Sequence, residues 1–375
     1  MDLTEIRDQL DSLDFTIKDA FLERMKLISK VAEFKADKNK EVLDKTREMQ
    51  KLETLTAFIM DDDEKKYVEE LFKQIITYSR IKQYKLMTEY GVPVDLPFNR
   101  IDAINKDNAR VVYQGVEGAY SHAATIKYFG EDVNAKHVPT FADAMKTISA
   151  GLADYAVLPI ENSSAGIVSD VYDLLSRYDN YIVGEVYIDV KHVLLGCENA
   201  VLSEIEKVYS HPQGFMQCSR FLSEHKHWQK VATENTAVSA KRIHNMQDEK
   251  SAAIASRYAG QLYGLKELAD DILDNDTNIT RFIIVSNRKI YTENADKISI
   301  CFELSHESGS LYTMLSHFMF NNLNMTKIES RPIPGRSWEY RFFLDFEGNL
   351  GEERVIDALR GVIEESNYFR LLGNY

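Results

Sequence analysis

Tyr155-Ala156-Val157-Leu158-Pro159-Ile160-Glu161-Asn162-Ser163-Ser164-Ala165-Gly166 is the stretch around which the chain is organised. Its first six residues are a short apolar run stopped by turn chemistry, the pattern of a strand covered on both faces. A helical pattern follows from about Ile167 to Leu175. In open α/β sheets ligands settle beyond the carboxyl ends of such strands, so Glu161 to Gly166 lies where a ligand would. Small residues let backbone approach closely, Asn and Ser supply neutral donors, and the free amides of a helix start favour an anion. The same letters also describe a strand-to-helix loop capped by Ser or Asn, and only the remaining chain separates the two readings.

The 375 residues, 44% of them hydrophobic, are enough for two or three domains with their own cores. Lys+Arg of 45 against Asp+Glu of 59 leaves a net charge of -14. That argues against nucleic acid or an anionic membrane as the main partner. A small anionic substrate is compatible if basic residues are gathered locally. Cys197, Cys218 and Cys301 are far apart without paired spacing, so neither a disulfide framework nor a zinc site is indicated. A reducing compartment fits. No apolar leader and no run of about eighteen apolar residues is present, so the expectation is a cytoplasmic protein without a membrane span.

In the first ninety residues, Leu3, Leu10, Ile17, Arg24 and Val31 occupy position a of a heptad, with Ile6, Leu13, Ala20, Leu27 and Phe34 at d. This predicts a long helix with a continuous apolar seam. Arg24 is the exception, because a guanidinium in a seam is costly unless an anion pairs with it. Arg7 and Lys35 flank the same seam. Lys35 lies three turns beyond Arg24, roughly 16 Å along the helix, so two long side chains could close on one small molecule. From Asp44 the stripe Asp44, Glu48, Leu52, Leu55, Ile59 begins acidic and turns apolar, with Arg47 beside it. From Tyr67 the stripe Val68, Phe72, Ile76, Ser79, Gln83 begins apolar and turns polar. A single polar seam residue can simply fix register in a coiled coil. Three helices that each turn polar on the inward side point instead to a polar pocket inside a helical bundle. No nucleophile stands next to a base, so the chemistry suggested is binding and electrostatic preorganisation.

Arg7, Arg24, Lys35, Asp44, Arg47, Glu48, Ser79 and Gln83 resemble, in type and spacing, the site of the all-helical chorismate mutases. The resemblance implies a domain-swapped dimer with Arg7 reaching into the partner's site, and a pericyclic rearrangement of chorismate to prephenate without a covalent catalyst. It assigns the substrate carboxylates to Arg7 and Arg24, helped by Arg47 and Ser79. Lys35 and Gln83 would face the ether oxygen, and Asp44 and Glu48 the ring hydroxyl. Holding a reactive conformer and stabilising charge on a breaking bond both lower a barrier.

Residues Gly91 to Asn108 carry Pro93 and Pro97 without periodicity, which marks a domain boundary. The expected division is a helical domain at 1–92, a linker at 93–109, an α/β domain at 110–288 and a terminal domain at 297–375. Beyond the linker, strands alternate with helical segments: Arg110 to Gly115 then a helix from about Ser121, Phe141 to Ala150 then Tyr155 to Ile160, Glu204 to Ser210 then a helix from about Gly214. This predicts a mostly parallel sheet. Gly115-Val116-Glu117-Gly118-Ala119 lacks the ending of a phosphate loop and the third glycine of a dinucleotide fingerprint, so no cofactor is expected. Several strand ends are rich in neutral donors: Gly118 to His122, Glu161 to Ser164, Ser210 to Gln213 with Gln217 one turn on, Glu234 to Thr236, and Asn278 to Phe282. Each could be helix capping. Together they would line one cleft. Thr280-Arg281-Phe282 precedes the strand Ile283, Ile284, Val285, where capping does not explain the threonine. His122 and His211 could be general acids or bases, although a histidine beside a helix start is more often structural.

Gly118-Ala119-Tyr120-Ser121-His122, Pro159-Ile160-Glu161-Asn162-Ser163, Ser210-His211-Pro212-Gln213 and Thr280-Arg281-Phe282 resemble the marks of the prephenate dehydratases. The resemblance implies two α/β lobes around a cleft, similar to periplasmic binding proteins, and conversion of prephenate to phenylpyruvate with loss of water and carbon dioxide. It makes Thr280 the proton donor to the departing hydroxyl, with Glu161, Asn162, Ser210 and Gln217 binding or orienting substrate and Arg281 holding a carboxylate. A threonine can act so only in a shielded site.

From Lys297 the pattern is strand, helix, strand, strand, helix, strand, a ferredoxin-like α+β unit. It lacks an acid-base constellation and resembles an ACT domain. Gly309-Ser310-Leu311 and Glu329-Ser330-Arg331-Pro332 resemble the two phenylalanine-binding motifs, with Ser310 and Tyr312 replacing smaller or apolar residues. This implies feedback inhibition by phenylalanine; the alternative is a dimerisation module without ligand. The chain is therefore expected to be a multidomain, bifunctional enzyme of phenylalanine biosynthesis that forms a homodimer or higher homo-oligomer. A ligand sensor with a helical dimerisation arm and no turnover is the rival from another class, and Thr280 and Arg24 speak against it. A hydride-transferring prephenate enzyme is weaker still.

Overall fold

The computed structural model describes residues 2–275 and 277–375. The chain divides into two compact units, one running to Pro97 and resuming over Asn294–Leu371, the other holding Phe98–Glu293 and Leu372–Tyr375.

The first unit begins with three helices, α1 (Leu3–Asp37), α2 (Lys45–Thr56) and α3 (Asp62–Glu89). Each has an Asp at its N-cap, and Asp2 with Glu5 completes a capping box, so the free amides of the first turns are satisfied. The expected seam of α1 is real as a pattern but is not a core within one chain. Leu3, Leu10, Leu13 and Ile17 are each more than half exposed, and Ala32 is the buried residue of the helix. Further along the same stripe Leu27 and Phe34 are also more than half exposed, although α1 meets α3 where the Phe21 and Tyr78 rings pack edge to face.

The second unit follows in chain order: β1 (Asn99–Ile101), β2 (Arg110–Gln114), α4 (Tyr120–Phe129), β3 (Asn134–Val138), α5 (Phe141–Ser149), β4 (Tyr155–Asn162), β5 (Gly166–Ile167), α6 (Ser169–Arg177) and β6 (Tyr181–Asp189). After Val190 and Lys191 the chain builds a second lobe from β7 (His192–Gly196), β8 (Lys207–Ser210), α7 (Pro212–Gln217), α8 (Ser219–Glu224), β9 (Gln229–Ala232), α9 (Thr236–Met246), β10 (Ser251–Ser256), α10 (Arg257–Leu262) and β11 (Lys266–Ala269). It then returns through β12 (Ile279–Ser286) and β13 (Ile290–Thr292), and β13 pairs with β1. Strand order is β6-β12-β4-β2-β3 in the first lobe and β11-β7-β10-β8-β9 in the second. Two chain crossings join two α/β lobes, the arrangement expected of a binding-protein-like fold.

Three local expectations are corrected. The sheets are mixed rather than mostly parallel: β12 runs antiparallel to both β4 and β6, and β7 runs antiparallel to β10 and β11. Strands that arrive from the other lobe need no helical crossover, so nothing forces a parallel pairing. The loop after Ile160 is also not a strand-to-helix turn. β4 continues through Glu161 and Asn162, folds back, and pairs with Gly166 and Ile167, so the helix starts only at Ser169. Finally, Thr280 and Arg281 lie inside β12 rather than ahead of it.

The last segment contributes β14 (Lys297–Glu303), α11 (Ser310–Phe320), β15 (Met325–Pro332), β16 (Tyr340–Glu347), α12 (Glu353–Glu365) and β17 (Tyr368–Asn374). The strands run β15-β16-β14-β17, the order of a ferredoxin-like α+β fold. Ile298, Ile300 and Phe302 of β14 are fully buried, as are Phe318 of α11 and Val355, Leu359 and Val362 of α12. Gly361 is required where α12 meets α11, since a Cβ there would stand 2.5 Å from the His317 ring. No helix among the described residues is long and apolar enough to cross a membrane.

Candidate active sites

In the helical part, the inward polar residues do converge. Arg24 donates from Nη1 to the Ser79 hydroxyl, and Ser79 donates to the Ile75 carbonyl at 2.6 Å. Burial lowers the Arg24 pKa, the cost expected for a cation in a seam. Gln83 donates to the Ser79 carbonyl at 3.0 Å, and its Oε1 is buried without a hydrogen-bond partner in the described chain. Lys35 donates to the Val42 carbonyl at 2.6 Å. Burial lowers its pKa while Asp44, Glu364 and Glu48 oppose that shift. Glu48 is raised by burial, against the pull of Arg80, whose Nη1 donates to it at 2.6 Å. Asp44 caps α2 by accepting the Arg47 amide at 3.0 Å, and the Arg47 side chain is exposed. Arg7 is not brought to this group: it lies seventeen residues before Arg24 on one helix, about 25 Å away along the axis.

In the two-lobed unit the neutral donors fall into two groups. Asn162 Nδ2 donates to Thr280 Oγ1 at 2.9 Å and to Asn278 Oδ1 at 2.7 Å, while its Oδ1 accepts the Ser164 and Ala165 amides. The Asn162 side chain therefore ties the turn of the β4–β5 hairpin to β12. Because Thr280 accepts from Asn162, its own proton is the remaining function of a hydroxyl that is 8% exposed. Glu161 and Arg281 sit on the opposite face, as alternation along a strand requires. Arg281 Nη1 is 4.0 Å from Glu161, Nε donates to Glu185 at 2.7 Å and Nη2 to the Tyr375 hydroxyl at 2.7 Å.

The second group is built on His192, which the sequence reading did not single out. Its Nε2 meets Gln217 Oε1 at 3.0 Å and its Nδ1 meets the Tyr120 hydroxyl at 3.1 Å. Burial pulls its pKa down to about 4, against the Gln217 hydrogen bond, so the ring is neutral near pH 7 and fixes both partners. A cavity of about 300 Å3 opens beside it, walled by Lys191, Arg257, Asp270 and Asp271. Both groups border one crossing of the chain: the Asp274 amide donates to the Gln217 carbonyl, and the Asn278 carbonyl accepts the Val190 amide.

Ser210 lies deeper than the neutral donors above. It is fully buried, its hydroxyl donates to the Ile254 carbonyl at 2.9 Å, and a Cβ on Gly214 would stand 2.5 Å from its Oγ. Its hydroxyl ties β8 to β10 beside the close approach of Gly214. His211 accepts the Gln213 amide and caps α7. His122 stacks on Tyr113 at 4.9 Å and accepts the Gly118 amide, with its pKa lowered by burial. Asn235 caps α9. For these residues the capping and packing readings are the ones realised.

The terminal motifs share one end of their sheet. β14 and β15 are both antiparallel to β16, so they run the same way, and Glu303 and Arg331 both lie level with Arg341. Gly309, with φ at 84°, opens α11 a few residues past Glu303, so Ser310 and Leu311 emerge on the side where Glu329 to Pro332 ends.

Residues 111–290 match the Prephenate dehydratase family and residues 6–84 the Chorismate mutase type II family. The bifunctional chorismate mutase/prephenate dehydratase of Escherichia coli strain K12 is 33% identical over 379 residues, covering 100% of this chain and 96% of that one. A prephenate dehydratase from Arthrobacter aurescens, solved in complex with L-Phe, superposes with a TM-score of 0.66 at 30% identity, covering 71% of this chain and 89% of its own. A quorum-quenching acylase, GqqA, superposes with a TM-score of 0.65 at 29% identity over 70% of this chain and 96% of its own, so the same scaffold is found under another named activity. Full-length similarity, both family matches and two separate constellations agree: this chain belongs to the bifunctional chorismate mutase/prephenate dehydratases.

Proposed function

We propose that the two reactions of this family run at two sites held in different compact units. Rearrangement of chorismate to prephenate is assigned to the helical unit and loss of water and carbon dioxide from prephenate to the two-lobed one. The observation that carries the reading is that Arg24 and Thr280, the residues each reaction can least spare, fall in separate units. In the first site, Arg24 with Ser79 would take a substrate carboxylate, Lys35 and Gln83 the ether oxygen, and Asp44 and Glu48 the ring hydroxyl, with Arg47 assisting. The buried Gln83 Oε1, which has no partner among the described residues, supports this, as does the convergence of Arg24 and Ser79 one turn away.

In the second site, Thr280 would donate its proton to the departing hydroxyl, oriented by Asn162, while Gln217 binds substrate and Glu161 with Arg281 orders the strand behind them. The domain division proposed is 1–92, 93–109, 110–288 and 297–375. Phenylalanine would bind the terminal domain at Gly309 to Leu311 and Glu329 to Pro332 and restrain the dehydratase. The uncovered seam of α1 supports a homodimer in which a second copy lies along it and receives Arg7. Three buried free cysteines support a cytoplasmic location.

The experiment compares chorismate consumption and phenylpyruvate formation in full-length Arg24→Ala and Thr280→Ala variants. Each should lose one activity and keep the other. Loss of both from either substitution in a folded protein would sink the two-site assignment.

A further inference from the structure

We propose that Arg80 is a positioning residue of the chorismate-rearranging site, and that Glu365 of the terminal domain completes the frame holding Glu48 there. The inference rests on Glu48 acting in that site.

Arg80 follows Ser79 on α3 and is 7% exposed. A guanidinium withdrawn from water needs anionic partners with good geometry. It has two, from different parts of the sequence. Its Nε donates to Glu365 Oε1 at 2.8 Å and its Nη2 to Glu365 Oε2 at 3.2 Å, which fixes the plane of the fork. The remaining Nη1 is thereby aimed at Glu48 Oε2, 2.6 Å away. Both shifts agree with a shared charge. The carboxylates overcome burial and raise the Arg80 pKa, and Glu365, which burial alone would raise, is held at about 2 by His317 and Arg80.

Glu365 is itself seated from two sides. His317 Nε2 of α11 lies 3.1 Å from its Oε1, and the Tyr84 hydroxyl of α3 lies 3.3 Å from the same atom. The preceding residue of α12 holds the other wall of the site. Glu364 Oε2 accepts the Val42 and Leu43 amides at 2.9 and 3.0 Å, and the Val42 carbonyl accepts Lys35 Nζ. Two adjacent carboxylates of α12 therefore govern one anion and one cation of the mutase site, through Arg80 and through Val42.

Without Arg80, Glu48 would keep its burial and lose its counter-ion. The charged groups facing Glu48 would then be Lys35 from α1 and Glu365 from α12. An acid near Glu365, with Lys35 alone to oppose it, takes up a proton at higher pH. Glu48 would then stop accepting the substrate hydroxyl sooner as the solution is acidified.

The test measures mutase kcat and KM between pH 5 and 9, with dehydratase rate on the same preparations, for full-length Arg80→Met, Arg80→Lys and Glu365→Gln. Arg80→Met should lower mutase kcat by about 10- to 100-fold with a smaller change in KM, and move the acid limb of kcat upward by about one pH unit. Arg80→Lys should recover part of the rate and most of the limb, and Glu365→Gln should show the same shift at smaller amplitude. Dehydratase rates should stay within about 2-fold. Unchanged mutase profiles in Arg80→Met and Glu365→Gln overturn the proposal, as does an equal fall of both activities with no displaced limb. Glu48→Gln and Arg24→Ala separate this from the site reading: if they leave the mutase active, that reading fails, whereas silent Arg80 variants beside dead Glu48→Gln and Arg24→Ala controls sink the positioning role alone.

Discussion

The two proposed sites, helical and two-lobed, would handle a small dianion by opposite means. In the helices, cations stand where apolar residues belong, and Arg24 and Lys35 each surrender some basicity to burial. In the two-lobed unit the groups that would do the work are neutral, Asn162 to Thr280 and His192 to Gln217. The first device stabilises charge already on the substrate, which suits a rearrangement in which nothing leaves. The second shields and aims a proton, which suits departure of a hydroxyl.

The largest effect that tests this contrast is on Arg24. Arg24→Ala should cost the mutase about 1,000-fold or more, because a half-buried partner of the substrate charge is lost, and Arg24→Lys should recover little, since a lysine offers no planar guanidinium to a carboxylate while also meeting Ser79. A stopped chorismate assay reads both. Next, Thr280→Val should cost the dehydratase about 100- to 1,000-fold while Thr280→Ser retains most of the rate. A valine variant with near-normal phenylpyruvate formation would remove the proton-donor role.

The units should also differ in how acid unfolds them. His192 is held neutral to about pH 4 when folded and takes its proton near 6.5 when unfolded. Its contribution is present above 6.5 and is lost as pH falls to 4, a few kcal/mol at about 1.4 per pH unit. Glu365 is ionised down to about 2 when folded and near 4.5 when unfolded, so its contribution disappears only from 4.5 downward. Urea midpoints across pH 7 to 3 should lose the first slope in His192→Asn and the second in Glu365→Gln. If one variant flattens both, the units do not respond separately. The smallest effect is Asn235→Ala, which should cost about 1 kcal/mol as a lost cap and leave the dehydratase rate unchanged.

What could be read in advance follows the range of the interactions. The heptad of α1, the apolar run at Tyr155–Ile160 and the terminal strand-helix order depend on neighbours a few residues apart, and they stand as expected. The hairpin at Gly166 turned on a pairing between Glu161 and Ile167 that the glycine alone does not announce. The antiparallel β12 depends on a chain that leaves one lobe and returns. Arg80 was passed over because its partner Glu365 is 285 residues away, and no periodicity spans that distance. The burial of Ser210 and its bond to the Ile254 carbonyl were not legible either, because buried and exposed serines are spelled alike. His192 carried no signal beyond a histidine opening an apolar strand.

Within the second unit the stretch Phe98–Glu293 brings its own ends together: β1 lies beside β13, with the Asn99 amide on the Lys289 carbonyl at 2.8 Å. It can therefore close on itself while the helices ahead of it still wait for α12. At roughly 5–20 residues per second on the ribosome, that wait is on the order of tens of seconds. During it Glu48 and Arg80 have no Glu365, and the greasy stripe of α1 is already free to meet a neighbouring nascent chain.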